Sequence, residues 1–426
     1  MAKPKKTELD QDLETEPKEK EGANSCDILS SVMSDKENKG FHLNGHKEIY
    51  YKVPFKCLDL DDLTGGGLEP GVHRFIGPSE GGKSSLCFDI IRNFLDDGKK
   101  NKIKRKAFVI NAEGKQPKEL EQRTGLKIVR TPEEWVEGTV FVLESNIFEF
   151  IFTVIRRLIN TNPDNCQFIF MIDSLDALTT KDDSEKGFSE HEKVAGGPLL
   201  SKRFLTNMTL RLTKLGHICL ITSQVSASIK TKYDQPDQMI LNAAGGNAAI
   251  HYCTTIFEFK PTTSKQEYTY LTGKHNNKLS SYENPITGKE VTIYIRKSTI
   301  QTSGETAKYP IKHNIYGKSA VWMEKDLVSK LKSSKLLQAK GAWLAFDENL
   351  LEELRGEKIE VLDQYQGESK FIDALEANSE LTNILYGKVL SWMKYKRDMR
   401  KSYESDDSME AETQSKSETD EEIILV

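Results

Sequence analysis

No two of the six cysteines, Cys26, Cys57, Cys87, Cys166, Cys219 and Cys253, stand at CxxC spacing. That excludes a paired-cysteine zinc site and a thioredoxin-like redox motif. Cys87 and Cys219 lie inside apolar runs and read as small core residues. Scattered thiols of this kind are the usage of a reducing compartment. The opening stretch MAKPKKTELDQD has no apolar segment, so no secretory signal is expected. No apolar run approaches the length of a membrane span. A cytoplasmic protein without a membrane partner is predicted. Strong charge imbalance is missing too: the formal net charge is -5 and the sequence pI about 6.0. Nothing global marks a nucleic-acid binder, so any DNA or RNA contact must come from local patches. Internal repeats are also absent.

What remains is a chain of 426 residues, 37% hydrophobic and 29% charged, enough for a large domain with appendages. Residues 1–45 are predicted to be an N-terminal disordered or oligomerisation segment. Within it the apolar patch Cys26–Met33 could form one or two helical turns, either as a frayed terminus or as a docking segment for a neighbouring subunit. Residues 46–315 alternate. Strand-like runs at Val72–Ile76, Ala107–Asn111, Val140–Leu143, Phe168–Ile172 and Ile218–Thr222 are separated by helical stretches at 84–96, 117–124, 146–160 and 199–215. Continuous apolar strands with helices between them imply an α/β fold, a parallel sheet covered on both faces. After residue 250 the runs Thr254–Phe259, Glu267–Leu271 and Val291–Arg296 read as antiparallel strands, with Asn284–Gly288 as a turn signal. Residues 316–400 read as a small α-rich C-terminal domain, with helices at Leu327–Leu337, Phe371–Ala377 and Leu381–Lys396 and a short turn or strand at Lys340–Ala345. Residues 401–426 are acidic, serine-rich and predicted to be disordered.

The chemistry concentrates in Gly77-Pro78-Ser79-Glu80-Gly81-Gly82-Lys83-Ser84, a full match to G-x-x-x-x-G-K-[ST] between a strand and a helix. Glycines let the backbone N–H groups turn toward phosphate oxygens, and the helix N-terminus adds the positive end of its dipole. Lys83 then reaches the β- and γ-phosphates of ATP, Ser84 coordinates Mg²⁺, and Ser85 completes the first turn. Magnesium also needs a carboxylate, usually through water. Asp173, after the apolar run Phe168–Ile172, is either that group or an ordinary acid at a strand end; the upstream phosphate loop favours the metal role. Hydrolysis needs a base for the attacking water. By spacing alone Glu113 is either that base or a capping or surface acid.

These pieces, in this order, resemble the RecA-type strand-exchange recombinases, especially the UvsX-like phage branch. Asp59–Gly71 is similar to the segment leading into the family's phosphate loop. Ala112-Glu113 resembles its catalytic glutamate, Ile172–Leu178 its Walker B strand, and Ile221-Thr222-Ser223-Gln224 the strand ending in its γ-phosphate-sensing glutamine. The resemblance implies a DNA loop from Val225 to Gly246 with Lys230, Lys232 and Tyr233 as DNA contacts, closed by Gly245-Gly246-Asn247. It implies a first DNA loop from Thr180 to Gly197, followed by Lys202 and Arg203 facing DNA phosphates. It implies a basic segment at Arg296-Lys297-Ser298, with Lys297 reaching a neighbour's ATP, and an acidic tail that competes with DNA. Three positions depart from the pattern: Glu119 stands where the family has an adenine-stacking aromatic residue, the basic pair aligns loosely, and Gly196-Gly197-Pro198 is unlike the usual first loop. The implied protein is a DNA-dependent ATPase that forms a helical filament on single-stranded DNA and exchanges strands with duplex DNA. Its implied partners include a recombination mediator and a single-strand-binding protein. A hexameric helicase on the same core and a non-hydrolysing mediator are the rival readings.

Overall fold

The computed structural model of the chain describes residues 24–36, 42–44, 46–114, 120–185, 196–226, 242–243, 250–262, 264–273, 275–276, 278–313 and 319–399. The chain divides into two compact units between Glu48 and Ile49. In the first, residues Ser25–Ser34 form a helix, longer than the one or two turns expected. The local reason is a capping box: the Asn24 side chain accepts from the Cys26 and Asp27 N–H groups, and Asp27 accepts from the Asn24 N–H.

The second unit is built on one large sheet. In chain order its strands are β1 (Gly71–Gly77), β2 (Arg105–Asn111), β3 (Ile128–Val129), β4 (Val140–Leu143), β5 (Gln167–Asp173), β6 (Ile218–Ser226), β7 (Asn242–Ala243), β8 (Thr255–Phe259), β9 (Tyr268–Tyr270), β10 (Ile286–Lys297) and β11 (Thr306–Lys312). The spatial order is β11-β10-β8-β1-β6-β5-β2-β4-β3, with β7 beside β6 and β9 beside β10. From β8 through β3 all pairs are parallel; β10 and β11 add an antiparallel edge. This mostly parallel, helix-flanked sheet is the expected α/β architecture.

Period-two alternation explains how both faces are filled. Ile169 and Met171 of β5 join Phe75 and Val109 in a core with Leu86, Ile90, Ile91 and Phe94 of the Lys83–Asn101 helix. Phe168, Phe170 and Ile172 point the other way, into a core with Ile151 and Ile155 of the Phe148–Thr161 helix and Phe204, Leu205 and Met208 of the Gly196–Lys214 helix. Each fully buried side chain of this size contributes ~1.5–3 kcal/mol.

Three expectations need correction. β8 does not pair antiparallel on both sides: it runs parallel to β1 with His73 opposite Thr255, and only its other neighbour, β10, is antiparallel. Every residue of β8 is buried, as suits an interior strand covered on both faces. The turn expected at Asn284–Gly288 is shorter, because Ile286 already begins β10. The helix expected to reach Leu337 ends at Ser333. Leu337 instead opens β12 (Leu337–Lys340), which pairs with β13 (Trp343–Phe346) and, through it, β14 (Gln364–Gln366). The region after residue 319 thus adds a three-stranded sheet to its helices. Its apolar cluster includes Leu327, Leu331, Phe346, Phe371 and Leu385, and takes in Leu58 from ahead of β1. Among the described residues, no helix is long and apolar enough to cross a membrane.

Buried carboxylates fasten residues 55–63 to this C-terminal region. Asp61 accepts from the Phe55 and Lys56 N–H groups and from the Tyr386 hydroxyl. Asp326 accepts from the Leu58 N–H at 2.8 Å, and Arg397 pairs with Asp62. Burial pushes the Asp61 carboxyl up to about 6 and that of Asp326 up to about 7. The folded chain therefore holds these protons more tightly than the unfolded chain. The stabilisation is full below the ordinary carboxylate range and is lost as pH rises toward 7. A tenfold difference in proton affinity between the folded and unfolded chain is worth about 1.4 kcal/mol. Stability from these two groups should therefore fall on the order of a few kcal/mol between about pH 4 and pH 7. Thermal melting across that range checks this, with Asp326→Asn expected to flatten the profile.

Candidate functional site

The parallel strands bring their carboxyl ends to one edge. In register, Gly77 of β1 lies opposite Gln224 of β6, and Asn111 of β2 lies opposite Asp173 of β5. Residues 77, 113, 173 and 224, scattered through the sequence, meet at this edge, where ligands of open α/β sheets bind.

The loop between β1 and the Lys83–Asn101 helix has the backbone that phosphate binding requires. Gly77 has φ +151° and Gly82 φ +100°. A Cβ on Gly77 would sit 2.7 Å from the Phe259 carbonyl oxygen, so only glycine fits there. Glu80, at the crest, also takes a left-handed φ of +58°. Its carbonyl accepts from Lys289 Nζ at 2.6 Å, a contact from the antiparallel edge that sequence reasoning missed. Ser79 and Glu80 are exposed, Pro78 is half-buried and Gly81 is buried. The helix starts at Lys83, so Ser84 and Ser85 occupy its first turn, where N–H groups lack intrahelical partners. Lys83 is buried and donates to the carbonyls of Gly77 (2.9 Å) and Pro78 (2.6 Å). Burial lowers its pKa, while the nearby charge of Asp173 raises it.

Across the edge, Glu113 Oε1 accepts from Ser174 Oγ at 2.5 Å and from Gln224 Nε2 at 3.1 Å. The expected base and the expected glutamine are therefore in direct contact. Asp173 Oδ1 accepts from Thr222 Oγ1 at 2.7 Å, which fixes the orientation of that carboxylate at the end of β5. The Gln224 N–H donates to Asp176 Oδ2 at 2.7 Å. Ser174, Thr222 and Asp176 lie inside the stretches matched to the Walker B strand and to the glutamine-bearing strand, but no role was assigned to any of them. Asp176 sits in the turn Leu175–Ala177, and Thr222 acts across strands.

Among the described residues, no three metal-ligating side chains cluster. A cation here would rely on one hydroxyl, Ser84, one carboxylate, Asp173, and oxygens of a ligand. That oxygen-rich, protein-poor set suits Mg²⁺ bound with phosphates.

The remaining candidates are placed as follows. Lys202 and Arg203 are exposed on the early turns of the Gly196–Lys214 helix, whose Ser201 and Phe204 line a cavity with Ile172 near the end of β5 and Leu175 just after it. Lys230, Lys232, Tyr233, Gly245, Gly246, Asn247 and Glu119 lie outside the described residues. Lys297 ends β10 opposite Ile256, and its ammonium donates to the carbonyls of Ile250 and His251. The register sets Lys297 level with Arg74 of β1, through Ile256 of β8, three residues before Gly77 of the loop.

A mostly parallel sheet with a phosphate loop after β1, a carboxylate closing β5, and a glutamate and glutamine meeting between them is the arrangement of a RecA-type core. No family model matches the chain. Over 221 residues the chain is 24% identical to the DNA repair and recombination protein RadB of Methanococcoides burtonii, covering 51% of this chain and 86% of that protein. That match agrees with the RecA-type resemblance and gives no support to the UvsX-like branch.

Proposed function

We propose that this chain is a DNA-dependent, Mg²⁺-requiring ATPase of homologous recombination. In this reading it assembles as a helical filament on single-stranded DNA, pairs that strand with homologous duplex and exchanges the strands. The observation that carries it is the Gln224–Glu113 hydrogen bond, which ties the hydrolytic base to the strand leading into the long polar segment after Val225. The RadB likeness supports the recombination setting.

The residues divide the work. The 77–85 loop and Lys83 bind the triphosphate through backbone N–H groups and one ammonium. Ser84 and Asp173 would hold Mg²⁺, which neutralises charge on the β- and γ-phosphates. Glu113 takes the proton of the attacking water, with Ser174 fixing its carboxylate. Gln224 links that carboxylate to β6. Lys202 and Arg203 supply phosphate contacts, and Lys297 contributes to the site of a neighbouring subunit in the filament.

The test is ATP hydrolysis with and without single-stranded DNA over a salt series. Stimulation that fades as salt rises is expected, because phosphate contacts release counterions. Absence of stimulation would remove the recombinase reading and leave a nucleotide-binding core. Closed rings in electron micrographs would favour a hexameric helicase.

A further inference from the structure

Arg74 occupies the middle of β1, three residues before the phosphate loop, yet it plays no part in the chemistry above. It is 3% exposed. Its side chain shares a face with Val72 and Ile76, away from the Lys83–Asn101 helix. There it lines a small cavity with Phe152, Leu175, Ser201 and Phe204. Ser201 belongs to the helix that carries Lys202 and Arg203. Arg74 Nη2 and Nε donate to Ser223 Oγ at 3.1 and 3.3 Å. A guanidinium stays charged in a protein, and burying one is costly unless its surroundings compensate. A strand at this position has no packing need for a cation.

Ser223 stands between the two residues that β6 commits to the nucleotide edge. Thr222 before it holds Asp173, and Gln224 after it holds Glu113. The Gln224 N–H is itself held by Asp176, and the Asp176 charge also acts on Arg74. Arg74 therefore reaches the one side chain of this stretch that no nucleotide-edge contact commits. Backbone pairing already sets Ser223 opposite Ile76 and Gln224 opposite Gly77. The Arg74 contact adds a side-chain hold at residue 223, directly beside the residue that meets Glu113.

We propose that Arg74 is a positioning residue that pins Ser223 and thereby couples the nucleotide edge to DNA binding. The inference rests on the DNA-dependent ATPase reading. Arg74→Met, Ser223→Ala and the double variant would be made in the full chain, with KM for ATP, basal turnover, DNA-stimulated turnover and melting temperature measured for each. The expected result is KM and basal turnover within about twofold of the unmodified chain and a DNA-stimulation ratio about tenfold lower, the size of a typical coupling. The double variant should match Arg74→Met, because Ser223→Ala then has no Arg74 contact left to remove. Arg74→Lys, which keeps a donor, should recover part of the ratio.

Should Arg74→Met fail to fold, Ser223→Ala carries the test alone. Basal and stimulated rates falling in proportion, or an unchanged ratio in a chain that is stimulated by DNA, would overturn this inference only. An unmodified chain with no stimulation would overturn the functional reading and this inference with it.

Discussion

Replacing Glu113 with glutamine is expected to lower ATP turnover by roughly 10²–10⁴-fold, the usual worth of a positioned general base, with ATP binding nearly unchanged. The amide keeps the shape of the carboxylate and an oxygen able to accept from Ser174 Oγ and Gln224 Nε2, as the Glu113 carboxylate does now. It loses the basicity needed to take a proton from water. The phosphate loop and Lys83 are untouched, so nucleotide still favours whichever conformation binds it more tightly. The variant should therefore form ATP-dependent complexes with single-stranded DNA that outlast those of the unmodified chain. Phosphate release and filter binding of labelled DNA check the two halves separately. Turnover within tenfold of the unmodified chain would move the base to another group.

Much of this site was legible from sequence, for identifiable reasons. Strands buried on both faces leave continuous apolar runs, and each of the five runs named lies within a strand, while the two-residue β3 between them left no run. The glycine-rich loop is local, so its strand–loop–helix setting was legible from spacing alone. Asp173 was legible because an acid that abruptly ends five apolar residues marks the carboxyl end of a strand. Glu113 was undecided by spacing. What singles it out in the structure is the pairing of β2 with β5, which sets Asn111 beside Asp173 and brings Glu113 to Ser174.

Other features had no local signal. Thr222 and Asp176 lie in stretches matched from sequence, but their roles depend on contacts across strands and turns that the local sequence does not show. β8 looked antiparallel because the runs that follow it alternate; its interior place beside β1 depends on sheet order, which periodicity does not encode. Leu337 was expected at the end of the helix that carries Leu327 and Leu331, although it falls six residues after Leu331 and so off their four-residue spacing; its strand is fixed by pairing with Phe346. Arg74 is a charge within an apolar strand. That conflict between local and global preference is a mark of a functional position.

Lys83→Ala is expected to have the largest effect on binding. The Lys83 ammonium is buried, and burial lowers its pKa, so it is a poorly hydrated charge poised for an anionic partner. Its two carbonyl contacts, to Gly77 and Pro78, fold it back over the loop that phosphates would enter. Truncating one member of a buried, hydrogen-bonded charge pair costs about 2–5 kcal/mol. That corresponds to roughly 30- to 5,000-fold weaker ATP binding. Arginine should not rescue it, since a planar fork cannot replace a compact point charge inside a tight loop. Lys83→Ala should retain the melting temperature of the unmodified chain to within a few degrees, because its hydrogen bonds reach two carbonyls where β1 passes into the loop, of Gly77 and Pro78, and none deeper in the core. ATP-dependent DNA binding should disappear, while nucleotide-independent DNA binding through exposed cations such as Lys202 and Arg203 persists and fades with salt. Titration with a fluorescent ATP analogue measures the first loss directly. Normal DNA-stimulated turnover in this variant would refute the phosphate-loop assignment. Loss of ATP binding with turnover intact in Glu113→Gln would keep the loop and discard the base, so the two variants test separate parts of the mechanism.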